Sequence, residues 1–146
     1  MKTIGEIIAG HPLFHASSTA SVRDVARTMS EHNIGAIAVL DSGTLVGIFS
    51  ERDVLSRVIA DGLDPDSTPV GTVMTKDIVV ASPSDDINEA LQKMHARSCR
   101  HLPVVQGGKL VGMISIRDLL QIDDDANRAK ASFLSELVTY SLDYET

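Results

Sequence analysis

Apolar residues recur at Val22, Val25, Ala26 and Met29, and again at Ile87, Ala90, Leu91 and Met94. This i, i+3, i+4, i+7 spacing predicts two helices that each bury one face. Each stripe is followed by two short apolar runs across a glycine turn: 36–40 and 45–49 around Asp41-Ser42-Gly43, then 102–105 and 110–114 around Gln106-Gly107-Gly108. Runs of that length separated by turn residues predict a hairpin in each half. A further helix starts at Ser50 and another at Ser115. With Leu13-Phe14 and Ile78-Val79-Val80 as first strands, each half reads β-α-β-β-α, an α/β fold.

The two halves are copies. Residues 16–55 align without gaps on 81–120, and 12 of the 40 pairs are identical, among them Gly47, Ser50, Arg52 and Asp53 with Gly112, Ser115, Arg117 and Asp118. Two or three identities would be expected by chance from ordinary residue usage, so the sequence is a duplication. The expected organisation is one repeat over 1–62, a second over 63–122, an Asp- and Pro-rich link at 61–69, and a C-terminal helix within 123–146. Asp123, Asp124 and Asp125 suit the N-terminus of that helix. Its apolar positions, Phe133, Leu134, Leu137 and Tyr140 among them, have no counterpart in the repeat and are expected to pack back on the chain or against another subunit. The two repeats are expected to pair with pseudo-twofold symmetry around clefts that occur twice.

Composition narrows the chemistry. Tryptophan is absent and three Phe and two Tyr are the only aromatic residues, so the core must be aliphatic. One cysteine, Cys99, cannot form an internal disulfide, and the chain opens without a basic leader or long apolar stretch, which points to a reducing cytoplasm. No apolar run approaches the roughly 20 residues that cross a bilayer. A net charge of −7 with scattered basic residues repels a nucleic-acid backbone. The five histidines and Cys99 lack zinc-ligand spacing, so no metal is expected, and no nucleophile–base pair suggests an enzyme.

The motif Gly47-Ile48-Phe49-Ser50-Glu51-Arg52-Asp53 returns as Gly112-Met113-Ile114-Ser115-Ile116-Arg117-Asp118. Ser-x-x-Asp at a helix start reads first as a capping box, in which hydroxyl and carboxylate satisfy free backbone N–H groups. It also reads as a place for phosphate, with an Asp able to accept hydrogen bonds from both hydroxyls of a ribose. Spacing alone does not separate the two. Arg52 and Arg117, one residue before each Asp, are expected to be solvated.

This duplicated G-h-h-S-x-x-D string (h apolar), preceded by a strand beginning near His101-Leu102-Pro103-Val104, resembles the paired cystathionine-β-synthase (CBS) module in its stand-alone form. Ile4-Gly5-Glu6-Ile7 and Val70-Gly71-Thr72-Val73-Met74 are similar to the segments that open each repeat of that family. The resemblance implies a non-catalytic regulatory module that needs no cofactor and binds AMP, ADP, ATP or NAD, AMP foremost. It further implies a homodimer that acts on a downstream protein the sequence does not name. One pocket would use Ser115, Asp118, Met113, Arg100 and His101 with Leu13, Phe14, Ile34 and Gly35. The other would use Ser50, Asp53, Ile48 and Ala36 with Ile78, Val79, Cys99 and Arg100. Gly35-Ala36 stands where the second repeat has Arg100-His101, so the Asp118 pocket is expected to be the stronger. The alternatives are a dimerisation scaffold with vestigial clefts, and a module for S-adenosylmethionine.

Overall fold

The computed structural model describes residues 2–122; the helix expected within 123–146 lies outside the described residues. The chain divides into two compact units. Among the described residues, one holds residues 2–11, Val79–Gln106 and residues 112–122; the other holds Pro12–Ile78 and Gly107–Val111.

In the unit built on the first repeat, β1 (His15–Ala16) runs parallel to β2 (Ala36–Asp41), which pairs antiparallel with β3 (Thr44–Ser50). Between β1 and β2 lies helix α2 (Val22–Glu31), preceded in the chain by α1 (Ile4–Ile8) of the other unit. Ser21 caps α2 by accepting from Asp24 N at 3.1 Å, and the expected stripe faces inward: Val22, Val25 and Met29 are buried on Ile37, Val39, Phe49, Val58, Val70, Val73 and Met74. After β3 the chain makes one helical turn, α3 (Glu51–Asp53), and continues as a π-helix over Val54–Ile59. A short 3-10 turn at Val70–Thr72 leads to Thr75, whose backbone exchanges two hydrogen bonds with Ile48.

The second repeat gives α4 (Ile87–Arg97), the hairpin β4 (His101–Gln106) and β5 (Lys109–Ser115), and α5 (Ile116–Leu120). Ile87, Ala90, Leu91 and Met94 of α4 are buried with Ile4 of α1, Leu102, Val104, Ile114 and Leu119. Helix α1 is fixed to this unit by Ile4 N donating to Asp85 O at 2.8 Å and Gly5 N to Pro83 O at 2.9 Å. Both hairpins turn through two residues with positive φ, Ser42 and Gly43 at 51° and 79°, and Gly107 and Gly108 at 59° and 79°, the mirror-image turn that matches strand twist.

The first strands correct the sequence reading. Pairing begins one step beyond each apolar run, at His15–Ala16 rather than Leu13-Phe14, and at Ala81 rather than Ile78-Val79-Val80. Leu13, Phe14, Ile78 and Val79 are half-buried ahead of the pairing. The second repeat keeps a single bridge, Ala81 to Val104. Pro103 stands where the first repeat has Ala38, and a proline has no N–H to give to a longer ladder.

Candidate functional site

Each hairpin hands its second strand to a helix through the same four residues. At Ser50 the side-chain oxygen accepts from Asp53 N at 3.3 Å while the Asp53 carboxylate accepts from Ser50 N at 3.0 Å and from Ser50 Oγ at 3.1 Å. At Ser115 the oxygen accepts from Asp118 N at 3.1 Å and the carboxylate from Ser115 N at 2.8 Å. Both are complete capping boxes. The backbone ahead of each hairpin ties to the same helix start: Glu51 N donates to Gly35 O at 3.0 Å, and Ile116 N to Arg100 O at 2.9 Å. Sequence and spacing thus bring Ser50, Asp53, Gly35 and Ala36 together in one unit, with Ala36 paired to Ser50 across the strands, and Ser115, Asp118 and Arg100 together in the other.

The surroundings of the two carboxylates differ. Asp53 is buried; Thr75 Oγ1 donates to it at 3.1 Å, and Arg57 Nε lies 3.5 Å from Oδ1. Asp118 is only partly buried. Its neighbour His101 has a pKa pushed down to about 4: burial dominates, the negative charge of Asp118 opposes it, and Arg100 and Arg117 reinforce it. The imidazole is therefore neutral near pH 7, offering one donor and one acceptor. Burial also pushes the Cys99 thiol up, away from the reactive thiolate.

Of the remaining expected residues, Leu13, Phe14, Ile34, Ile48 and Ile78 lie in the unit of Asp53, where Phe14 stacks on His32 at 4.0 Å and, with Ile34, packs on the core. Val79, Cys99 and Met113 lie in the unit of Asp118, with Val79 and Cys99 against its core. Arg52 and Arg117 are exposed. Thr75 and Arg57 were not singled out by the sequence, although Arg57 sits four residues after Asp53, the spacing at which opposite charges meet on a helix. Among the described residues no helix is long and apolar enough to cross a membrane, and no three His, Cys, Asp or Glu residues cluster as metal ligands would.

The family description "CBS domain" matches the chain over residues 4–60 and 70–125. CBS domain-containing protein YhcV of Bacillus subtilis is 33% identical over 121 residues, 83% of this chain and 85% of that protein. The mitochondrial CBS domain-containing protein CBSX3 of Arabidopsis thaliana is 33% identical over 126 residues, and the match spans only 61% of its length. Among solved structures, the CBS-domain containing protein ATU1752 from Agrobacterium tumefaciens has a TM-score of 0.74 at 30% identity, covering 80% of this chain and 95% of that one. CBS domain protein PAE2072 from Pyrobaculum aerophilum, complexed with AMP, has a TM-score of 0.76 at 29% identity, covering 94% of this chain and 98% of that one.

Proposed function

Because this chain belongs to the CBS domain family, we propose that it is a non-catalytic regulatory module that binds an adenosine-containing small molecule, AMP foremost, and changes conformation or assembly on doing so. The observation that carries the reading is the state of the Asp118 carboxylate. A carboxylate has about four lone-pair positions, and among the described residues a single hydrogen bond is donated to this one, by Ser115 N. The two hydroxyls of a ribose are the donors that complete such a group. The exposed Arg100 beside it suits a phosphate, and neutral His101 suits a polar group without adding charge. The AMP complex of the Pyrobaculum aerophilum protein supports AMP over other adenosine ligands; ADP, ATP and NAD share the half that Asp118 would hold.

A homodimer is part of the same reading, supported by Leu55 and Ile59, which stand 63% and 59% exposed on consecutive turns of the π-helix. The lone, half-buried Cys99 suits a reducing compartment such as the cytoplasm. Titration calorimetry with AMP tests the proposal, alongside thermal unfolding. Saturable heat is expected, with stabilisation of about 2.7 kcal/mol at a hundredfold excess over Kd. No heat and no melting shift with AMP, ADP, ATP, NAD or S-adenosylmethionine overturns it and leaves the dimerisation scaffold.

A further inference from the structure

The two motif carboxylates are equivalent in sequence and unequal in chemistry. Three protein donors hydrogen-bond to the Asp53 carboxylate, Ser50 N at 3.0 Å and Ser50 Oγ at 3.1 Å on Oδ2 and Thr75 Oγ1 at 3.1 Å on Oδ1, and the Arg57 guanidinium pairs with Oδ1 as an ion at 3.5 Å. Three of the roughly four lone-pair positions of a carboxylate are taken, and a cation stands against the oxygen that carries the fourth. The clamp is itself held. Thr75 is fixed to Ile48 by the backbone pair at 3.0 and 2.9 Å, and Arg57 donates from its other end to Met74 O at 3.0 Å.

The second repeat lacks both clamping side chains. A β-carbon on Gly47 would run into Met74, and one on Gly112 would run into Ile8 at 2.5 Å. Met74 and Ile8 therefore occupy equivalent places, and the residue after each is Thr75 in one case and Ala9 in the other. Arg57, four residues after Asp53, has Ile122 as its counterpart four residues after Asp118.

We infer that Thr75 and Arg57 are specificity-determining residues that close the Asp53 carboxylate to a ribose, so that each chain takes one adenosine ligand, at Asp118. This rests on the adenosine reading. A ribose diol needs two acceptor positions, and at Asp53 it would have to displace the Thr75 hydroxyl and push aside the Arg57 guanidinium, both anchored through the backbone.

The test gives the first repeat the side chains of the second. AMP stoichiometry and affinity are measured by titration calorimetry for the natural chain, for Thr75→Val, and for Thr75→Ala combined with Arg57→Ile, with melting curves to establish that each is folded. The natural chain is expected to bind one AMP. The double variant is expected to bind a second, with affinity at the first repeat raised at least tenfold, and Thr75→Val, which keeps the shape and loses the hydroxyl, to move part of the way. Two AMP per natural chain, or a folded double variant that stays at one, overturns the inference. If neither protein binds any adenosine ligand, the functional reading fails on its own, and the clamp is judged without ligand from a double-mutant cycle between Asp53→Asn and Thr75→Val. Non-additive melting shifts uphold the clamp; additive shifts overturn it.

Discussion

Asn33 and Ser98 stand at the same place in the two repeats and share one left-handed backbone conformation, with φ of 53° and 51°. Each ends the helix before it in the same way: Ile34 N donates to Met29 O and Cys99 N to Met94 O, both at 3.0 Å, closing the last turn as a left-handed cap does. Asparagine tolerates this conformation better than serine, and glycine adopts it without a steric penalty. Ser98→Gly is therefore expected to stabilise the protein by about 0.5–1 kcal/mol and Asn33→Gly by less, measured by urea unfolding.

Asp118→Ala removes the acceptor proposed for ribose. Two charge-assisted hydrogen bonds of about 1.5–3 kcal/mol each, less the carboxylate's own desolvation, amount to a tenfold to several hundredfold loss of AMP affinity by calorimetry. The variant should remain folded, because the capping contribution is about 0.5–2 kcal/mol.

The motif glycines Gly47 and Gly112 are expected to respond differently to alanine. At Gly47 the new methyl meets Met74 Cγ at 2.9 Å and the carbonyl of Thr75 at 3.0 Å, which the Ile48–Thr75 backbone pair holds in place. At Gly112 it meets the terminal Cδ1 of Ile8, which can rotate away, and the rest of that side chain stays at 3.4 Å or more. Gly47→Ala should cost about 1–3 kcal/mol and Gly112→Ala clearly less, read from thermal unfolding.

His101 makes stability depend on pH. Its pKa of about 4 in the folded chain lies below the ordinary value near 6.5, so the unfolded chain binds the proton first. Its contribution is fully present above pH 6.5 and is lost as pH falls toward 4. Between pH 7 and 5 the loss should be about 2 kcal/mol, at 1.36 kcal/mol per unit. Subtracting the same urea series on His101→Gln, which cannot take the proton, isolates the effect; identical pH dependence in both proteins would remove His101 from the account.

The helices and hairpins were legible because each carries its period on its surface: Val22, Val25 and Met29 face inward as their spacing requires, and Ser42-Gly43 and Gly107-Gly108 bend where two positive φ angles are needed. The first strands were misplaced by a step because a strand of two residues has no period, and pairing rather than hydropathy sets its position. At the candidate site the capping boxes were legible from Ser-x-x-Asp. The closure of Asp53 was not, since Thr75 reaches it from 22 residues away and no local pattern announces such a partner. The sequence ranks the two carboxylates by Arg100-His101 against Gly35-Ala36; the proposed role of Thr75 and Arg57 leads to the same order by another route, and the AMP titrations decide it.

Helix α1 and residues 79–106 belong to one compact unit, while residues 12–78 fall in the other. The bonds from Ile4 to Asp85 and from Gly5 to Pro83 thus close a loop that spans most of the duplicated region, and the entropy of closing it falls on whichever event comes last. On a ribosome, which delivers the chain from its N-terminus, residues 12–78 emerge with nearly all of their own unit in hand. Ile4 and its neighbours emerge before them and must wait, unpaired, until Ala81 and α4 have been synthesised. Birth order and assembly order are therefore reversed for this helix, and a nascent chain stalled before residue 81 would carry α1 with its apolar face uncovered.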